Sequence, residues 1–153
     1  MSFLSSNLKS FVYLYIKGNA MGMNNEVKSV IENCAQASHD GLISFGEVVM
    51  KLMSVGVESY YADYRLGQTI YYLPSGETHR VNLVVPDIAI ADTFRADDVE
   101  AAVRGAQSGV VKYQELMQLT MSAGCVGYFV WIVGRHVQYL GRRGEAHVEH
   151  FPS

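Results

Sequence analysis

The sequence predicts an α+β fold. Two helix–helix–three-strand meander units supply one or more antiparallel sheets, with helices packed on one side. Three observations predict it. First, the chain nearly repeats itself. Ile43-Ser44-Phe45-Gly46-Glu47, Met53-Ser54, Gly56 and Tyr60 recur as Val111-Lys112-Tyr113-Gln114-Glu115, Met121-Ser122, Gly124 and Tyr128, always 68 positions on. Second, each copy opens with apolar residues at helical spacing and closes with short β-rich runs. Third, Gly and Pro punctuate those runs closely enough for hairpins.

The echo runs further. Gly67, Tyr72 and Leu73 match Gly134, Tyr139 and Leu140 at an offset of 67, and Gly76-Glu77-Thr78-His79 matches Gly144-Glu145-Ala146-His147 at 68. A duplication of this kind constrains fold more than chemistry.

Each element has a local cause. Asn24 or Asn25 caps a helix over 24–37, where Val27, Val30, Ile31 and Cys34 recur at i, i+3, i+4 and i+7. His39-Asp40-Gly41 ends it. Ser44 opens a second helix, and Glu47 completes a capping box. Val48, Val49, Leu52 and Met53 form its buried stripe, and Gly56 stops it. Strands follow at 57–66, 69–73 and 77–85, separated by Gly67-Gln68 and Pro74-Ser75-Gly76. Residues 86–95 connect the halves. Asp97 and Asp98 then sit in the first turn of a helix, where the macrodipole favours acid. A helix over 112–123 ends at Gly124, and strands are expected at 125–133, 136–140 and 145–151.

The matching strands differ. Cys125 to Val133 is apolar on both faces, which predicts a central strand covered on both sides. In the first half Tyr60, Ala62, Tyr64 and Leu66 share one face. Ser59, Tyr61, Asp63 and Arg65 share the other, which is expected to be wet or to line a groove.

At 153 residues, the chain is expected to form a single α+β domain over 24–153, made of repeats 24–85 and 96–151. Residues 1–23 read as an N-terminal extension, either disordered or the product of a start site placed too far upstream. Its apolar run, Phe11 to Ile16, is shorter than the ~7–15 residues of a secretory signal.

Net charge of −3 with no basic stripe argues against a general grip on nucleic acid. No stretch reaches the ~18 apolar residues of a membrane span. Cys34 and Cys125 lack metal-type spacing, so a cytoplasmic, reducing setting is expected.

The candidate chemistry is the twice-occurring Gly-Glu-x-His. On a strand, i and i+2 share a face, so Glu77 and His79 are expected to be neighbours, as are Glu145 and His147. A carboxylate beside an imidazole is the minimum of an acid–base pair. The structural alternative is hairpin chemistry, with Gly making the turn and the polar pair tying it down. His147, Glu149 and His150 invite a metal reading, but His150 points away on a strand. Two ligands do not close a site, so no metal and no cofactor are expected. His79 would add a third ligand only where the halves meet. Tyr60, Tyr72, Tyr128 and Tyr139 are the candidate ligand-binding tyrosines, able to line a pseudo-twofold groove or to pack helices onto the sheet. Phe129 and Trp131 are read as core.

Ala123-Gly-Cys-Val-Gly-Tyr-Phe-Val130, Tyr139-Leu-Gly-Arg142 and Gly144 through Pro152 resemble the YbcV/YdfO-like family of uncharacterised bacterial and prophage proteins, often labelled "phage envelope protein". Phe45 to Tyr60 and Thr69 to His79 carry the same resemblance, which covers residues 24–152. It implies a small α+β protein and no established activity.

Three functions follow as expectations. The leading one is a non-catalytic module binding a small molecule or a protein. The second is a small acid–base enzyme using Glu77/His79 or Glu145/His147. The third is a phage-derived structural or interaction protein, with self-association into a homo-oligomer left open.

Overall fold

The computed structural model describes residues 22–152; the expected extension over 1–23 lies almost wholly outside the described residues. Among the described residues four helices and six strands follow in the order α1 (Asn25–His39), α2 (Phe45–Ser54), β1 (Ser59–Asp63), β2 (Gln68–Tyr72), β3 (Thr78–Asn82), α3 (Ala96–Gln107), α4 (Tyr113–Ser122), β4 (Cys125–Trp131), β5 (His136–Gly141) and β6 (Ala146–His150). The helix starts obey their local chemistry. The Asn24 side chain accepts from Val27 N, and Ser44 and Glu47 form both halves of the capping box.

The six strands form one antiparallel sheet in the order β3-β2-β1-β4-β5-β6. The two meanders therefore join back to back through β1 and β4. One core holds the helix stripes (Val27, Ile31, Leu52, Val99, Met117) together with Tyr60, Ala62, Tyr71, Tyr128, Val130, Val137 and Tyr139 of the strands. Among the described residues the helices thus cover a single face of the sheet. Among the described residues no helix is long and apolar enough to cross a membrane.

Strand registers relate the two halves at one offset. Ser59 pairs with Tyr72, and Gly127, 68 positions on, pairs with Leu140. Tyr71 pairs with His79, and Tyr139 pairs with His147. Across the seam Tyr61 pairs with Phe129, and these two are each other's equivalents. A pseudo-twofold axis normal to the sheet therefore runs between them.

This corrects the sequence match of Tyr72 with Tyr139. The structural counterpart of Tyr139 is Tyr71. The slip arises at the hairpin turn. Gly67 holds its left-handed position at φ 70°, whereas the second hairpin uses Arg135 at φ 62°, one residue after Gly134. A one-residue slip reverses the face of every side chain. Tyr72 and Tyr139 consequently lie on opposite sides of the sheet.

A second expectation also fails. β4 is central, yet its second face has no covering layer among the described residues. Phe129 and Trp131 lie outside the core cluster and are half-buried. Aromatic neighbours on the same face shield them, and that is why an apolar strand does not require a second layer here.

Candidate functional site

The two faces of the sheet hold different chemistry. On the helix side, buried Tyr60, Tyr64, Tyr71, Tyr128 and Tyr139 form a layer, with the half-buried Tyr113 packed against it. Tyr60 stacks on Tyr71 with ring centroids 5.2 Å apart, and Tyr128 lies 5.7 Å from Tyr139. The Tyr113 and Tyr128 hydroxyls meet at 2.6 Å, and the Tyr64 hydroxyl meets Thr120 Oγ1 at 2.9 Å. Thr120 in turn donates to Leu116 O at 2.8 Å, so Tyr64 supplies the proton of its own contact. Burial drives the hydroxyls of Tyr60, Tyr64 and Tyr128 well above the ordinary phenol range and that of Tyr113 up to about 12. These phenols stay protonated and tie helices to sheet. Of the four candidate binding tyrosines, Tyr60, Tyr128 and Tyr139 sit in this enclosed layer, and Tyr72 alone reaches the other face.

The Glu-x-His pairs resolve differently from the strand expectation. Glu77 precedes β3 and accepts from Met23 N at 3.1 Å and from Ser75 Oγ at 2.9 Å. Glu145 accepts from Arg143 N at 2.8 Å. Both carboxylates are held below the usual carboxylate range by hydrogen bonds, Glu77 by those from Met23 N and Ser75, and Glu145 by those from its own backbone N–H and from Arg143 N. The histidines take carboxylates from elsewhere. His79 Nε2 lies 3.0 Å from Glu32 of α1, and His147 Nε2 lies 2.6 Å from Glu149. Glu149 also accepts from Arg104 of α3 at 2.5 Å, and Arg104 reaches Glu100 at 3.2 Å. Burial alone would raise the Glu149 carboxyl, but Arg104 and His147 outweigh it and hold it low. His79 and His147 lie on β3 and β6, the two edges of the sheet. Five strand spacings, about 24 Å, separate them, so the halves do not pool their histidines.

Cys34 and Cys125 are buried free thiols. Burial raises Cys34 and pushes Cys125 up to about 12, which keeps both as poor nucleophiles. Among the described residues no group of three or more His, Cys, Asp or Glu gathers as a metal centre.

The other face carries Ser59, Tyr61, Asp63, Ile70, Tyr72, Arg80, Phe129, Trp131, His136, Gln138, Leu140, Val148 and His150, by strand alternation and register. At its centre the aromatic rings stack. Phe129 and Trp131 lie 4.0 Å apart and nearly parallel at 4°. Tyr72 lies 6.1 Å from Phe129 at 17°, and Tyr61 lies 5.5 Å from it. Gln138 Oε1 accepts from Trp131 Nε1 at 2.8 Å and fixes the indole. Sequence reasoning placed Phe129 and Trp131 in the core. The signal it lacked was the seam register, which sets Phe129 and Trp131 beside Tyr61 and Ser59 of the wet face.

The chain belongs to the family described as "Protein of unknown function (DUF1398)", whose model matches residues 28–149. The match spans both meanders up to Glu149, and the helices except the first residues of α1. Among curated proteins, no similar sequence was found. The function of this small α+β protein is therefore uncharacterised at the level of its family.

Proposed function

We propose that the protein is a non-catalytic binding module that docks another protein on the open face of its sheet. The observation that carries this reading is the aromatic stack of Tyr72, Phe129 and Trp131, with Tyr61 beside it, lying outside the helix-covered core. Tyr, Trp and Arg dominate interface hot spots because they bury area with few rotors. A pleated face is shallow, which suits a macromolecular surface better than an enclosed small ligand. Its extent is roughly 24 by 17 Å, about 400 Å², from strand spacing and rise. That is near half the ~800 Å² per partner of a standard interface, so the docking is small and reversible.

Charge states the partner's chemistry. The open face and its rim hold Arg80 and Arg65 against Asp63, net positive in a chain of net charge −3. An apolar patch bordered by carboxylates is the complement. The resemblance to YbcV/YdfO-like prophage proteins fits an interaction role, and the buried free thiols fit a reducing, cytoplasmic setting.

The test is a photo-crosslinking phenylalanine analogue placed at Tyr72 in cells that make the protein. An adduct with a second polypeptide is expected from Tyr72 and not from Met50, which is exposed on α2. Equal adducts from both positions, or none from Tyr72, defeat the reading. An adduct of twice the chain's mass identifies a second copy as the occupant.

A second reading, acid–base catalysis, draws on the His147–Glu149 contact of 2.6 Å. It requires that His147→Ala abolish turnover of a screened substrate while folding is kept.

A further inference from the structure

His136 and His150 belong to neither network above. They are directly opposed residues of β5 and β6. Phe151 N donates to Arg135 O at 2.9 Å, and this bond flanks the His136–His150 pair. In an antiparallel ladder that pattern marks a non-hydrogen-bonded pair, where side chains approach most closely. Both histidines project from the open face, and their ring centroids lie 5.8 Å apart. His150 is exposed and His136 half-buried, so solvent reaches the pair.

The tautomer of His136 is also set. Its Nδ1 lies 3.1 Å from the Gly134 carbonyl oxygen, an acceptor only, so Nδ1 carries the proton and donates. Nε2 then carries the lone pair. A ligating imidazole characteristically donates its other N–H to a backbone carbonyl, which fixes the ring and raises its basicity. No similar anchor is required of His150, which stands at the end of β6 and can turn to complete the pair.

We propose that His136 and His150 form a two-imidazole site for a late first-row divalent cation. Imidazole suits Cu²⁺, Ni²⁺ and Zn²⁺, and copper binds most tightly of these. Two protein ligands leave the remaining positions to water or to a group from a docked molecule. The site stands at the rim of the aromatic stack but does not depend on the docking proposal. It is also separate from His147 and Glu149, whose side chains lie on the helix side.

Trp131 reports on it directly. It is the single tryptophan of the chain, and its ring lies 6.3 Å from that of His136. Tag-free full-length protein is titrated with copper(II) chloride in a non-coordinating buffer while Trp131 fluorescence is followed. Saturable quenching at one equivalent is expected, with Zn²⁺ restoring emission by competition. His150→Ala and His136→Gln are each expected to weaken apparent affinity about tenfold or more, the scale of losing a contact in the metal's coordination environment. His147→Ala is expected to leave the titration unchanged. Unsaturated linear quenching, or wild-type titrations in both the His136 and His150 variants, overturns the site, as does a His147→Ala variant that loses the response. His150 is exposed, so its alanine variant folds and decides the matter even where His136→Gln does not.

Discussion

Tyr71 and Tyr72 are adjacent in sequence and chemically identical, but they should respond very differently to truncation. Tyr71 is 4% exposed and stacks on Tyr60 with centroids 5.2 Å apart. An aromatic side chain buries about 150–250 Å², so at ~25 cal/mol per Å² full burial contributes ~4–6 kcal/mol. Alanine retains only a methyl group, and Tyr71→Ala should cost about 3–5 kcal/mol, as other buried aromatic truncations do. Tyr72 is half-buried on the open face and touches Phe129 at the edge of a stack. Tyr72→Ala should cost about 1–2 kcal/mol by the same area argument. The difference of ~2–3 kcal/mol corresponds to roughly 5–10 °C in Tm for a chain this long. Urea unfolding followed by far-ultraviolet circular dichroism measures both. Equal costs, or a larger cost at Tyr72, would refute the register that puts Tyr71 against His79 and Tyr139 against His147. The proposed docking face would fall with it, since a one-residue slip exchanges the two faces.

Two further outcomes are expected. Glu149→Gln removes the charge that binds both Arg104 and His147. It should cost about 2 kcal/mol at pH 7, the scale of a hydrogen bond to a charged group. Because the folded carboxyl titrates below its unfolded value, this stabilisation is present above the unfolded pKa and is lost as pH falls through the folded one. Wild-type and variant stabilities should therefore converge in acid, and a gap that widens on acidification contradicts the pairing. Gly56 and Gly124 stop equivalent helices at φ 89° and 93°, but a Cβ on Gly124 would lie 2.4 Å from the Thr93 carbonyl oxygen while one on Gly56 meets nothing within 4 Å. Gly56→Ala should cost ~1 kcal/mol from backbone strain alone. Gly124→Ala should exceed it by at least about 2 kcal/mol, as strain plus overpacking do elsewhere; equal melting temperatures for the two variants would contradict the contact with the connector.

Much of the fold was legible because its causes are local. The Ser44–Glu47 box, the Asn24 cap, the glycine stops and the two meanders follow from neighbouring residues. What was not legible depends on long-range register. Tyr72 and Tyr139 align in sequence because Gly134 resembles Gly67, and only the turn at Arg135 shows that the match is one residue out. The partner of His79 was missed for a related reason. Glu32, like the Arg104 that binds Glu149, lies on a helix distant in sequence, and period-two reasoning sees only one strand at a time; the His147–Glu149 contact, by contrast, joins i and i+2 of a single strand. Apolarity on both faces of β4 pointed to a second layer. Among the described residues the face is shielded instead by Tyr61 and Tyr72, from strands whose order the sequence does not show. Tyr61 had nevertheless been placed on a wet or groove-lining face, which agrees with its position.

The seam between β1 and β4 also determines how this chain could be cut and reassembled. Tyr61 opposes Phe129, its own counterpart, so the other pairings across the seam match in twos, Ser59 with Trp131 answering Asp63 with Gly127. A polypeptide ending after β3 would leave β1 with a bare edge whose natural complement is the same edge on a second molecule. Two such fragments, paired with Tyr61 against Tyr61, would rebuild a six-stranded sheet with no register altered. The same logic applies between intact chains. Two molecules that exchange their C-terminal halves through the 83–95 connector recover every strand pairing, so the exchange equilibrium depends on that connector and on concentration, not on the sheet.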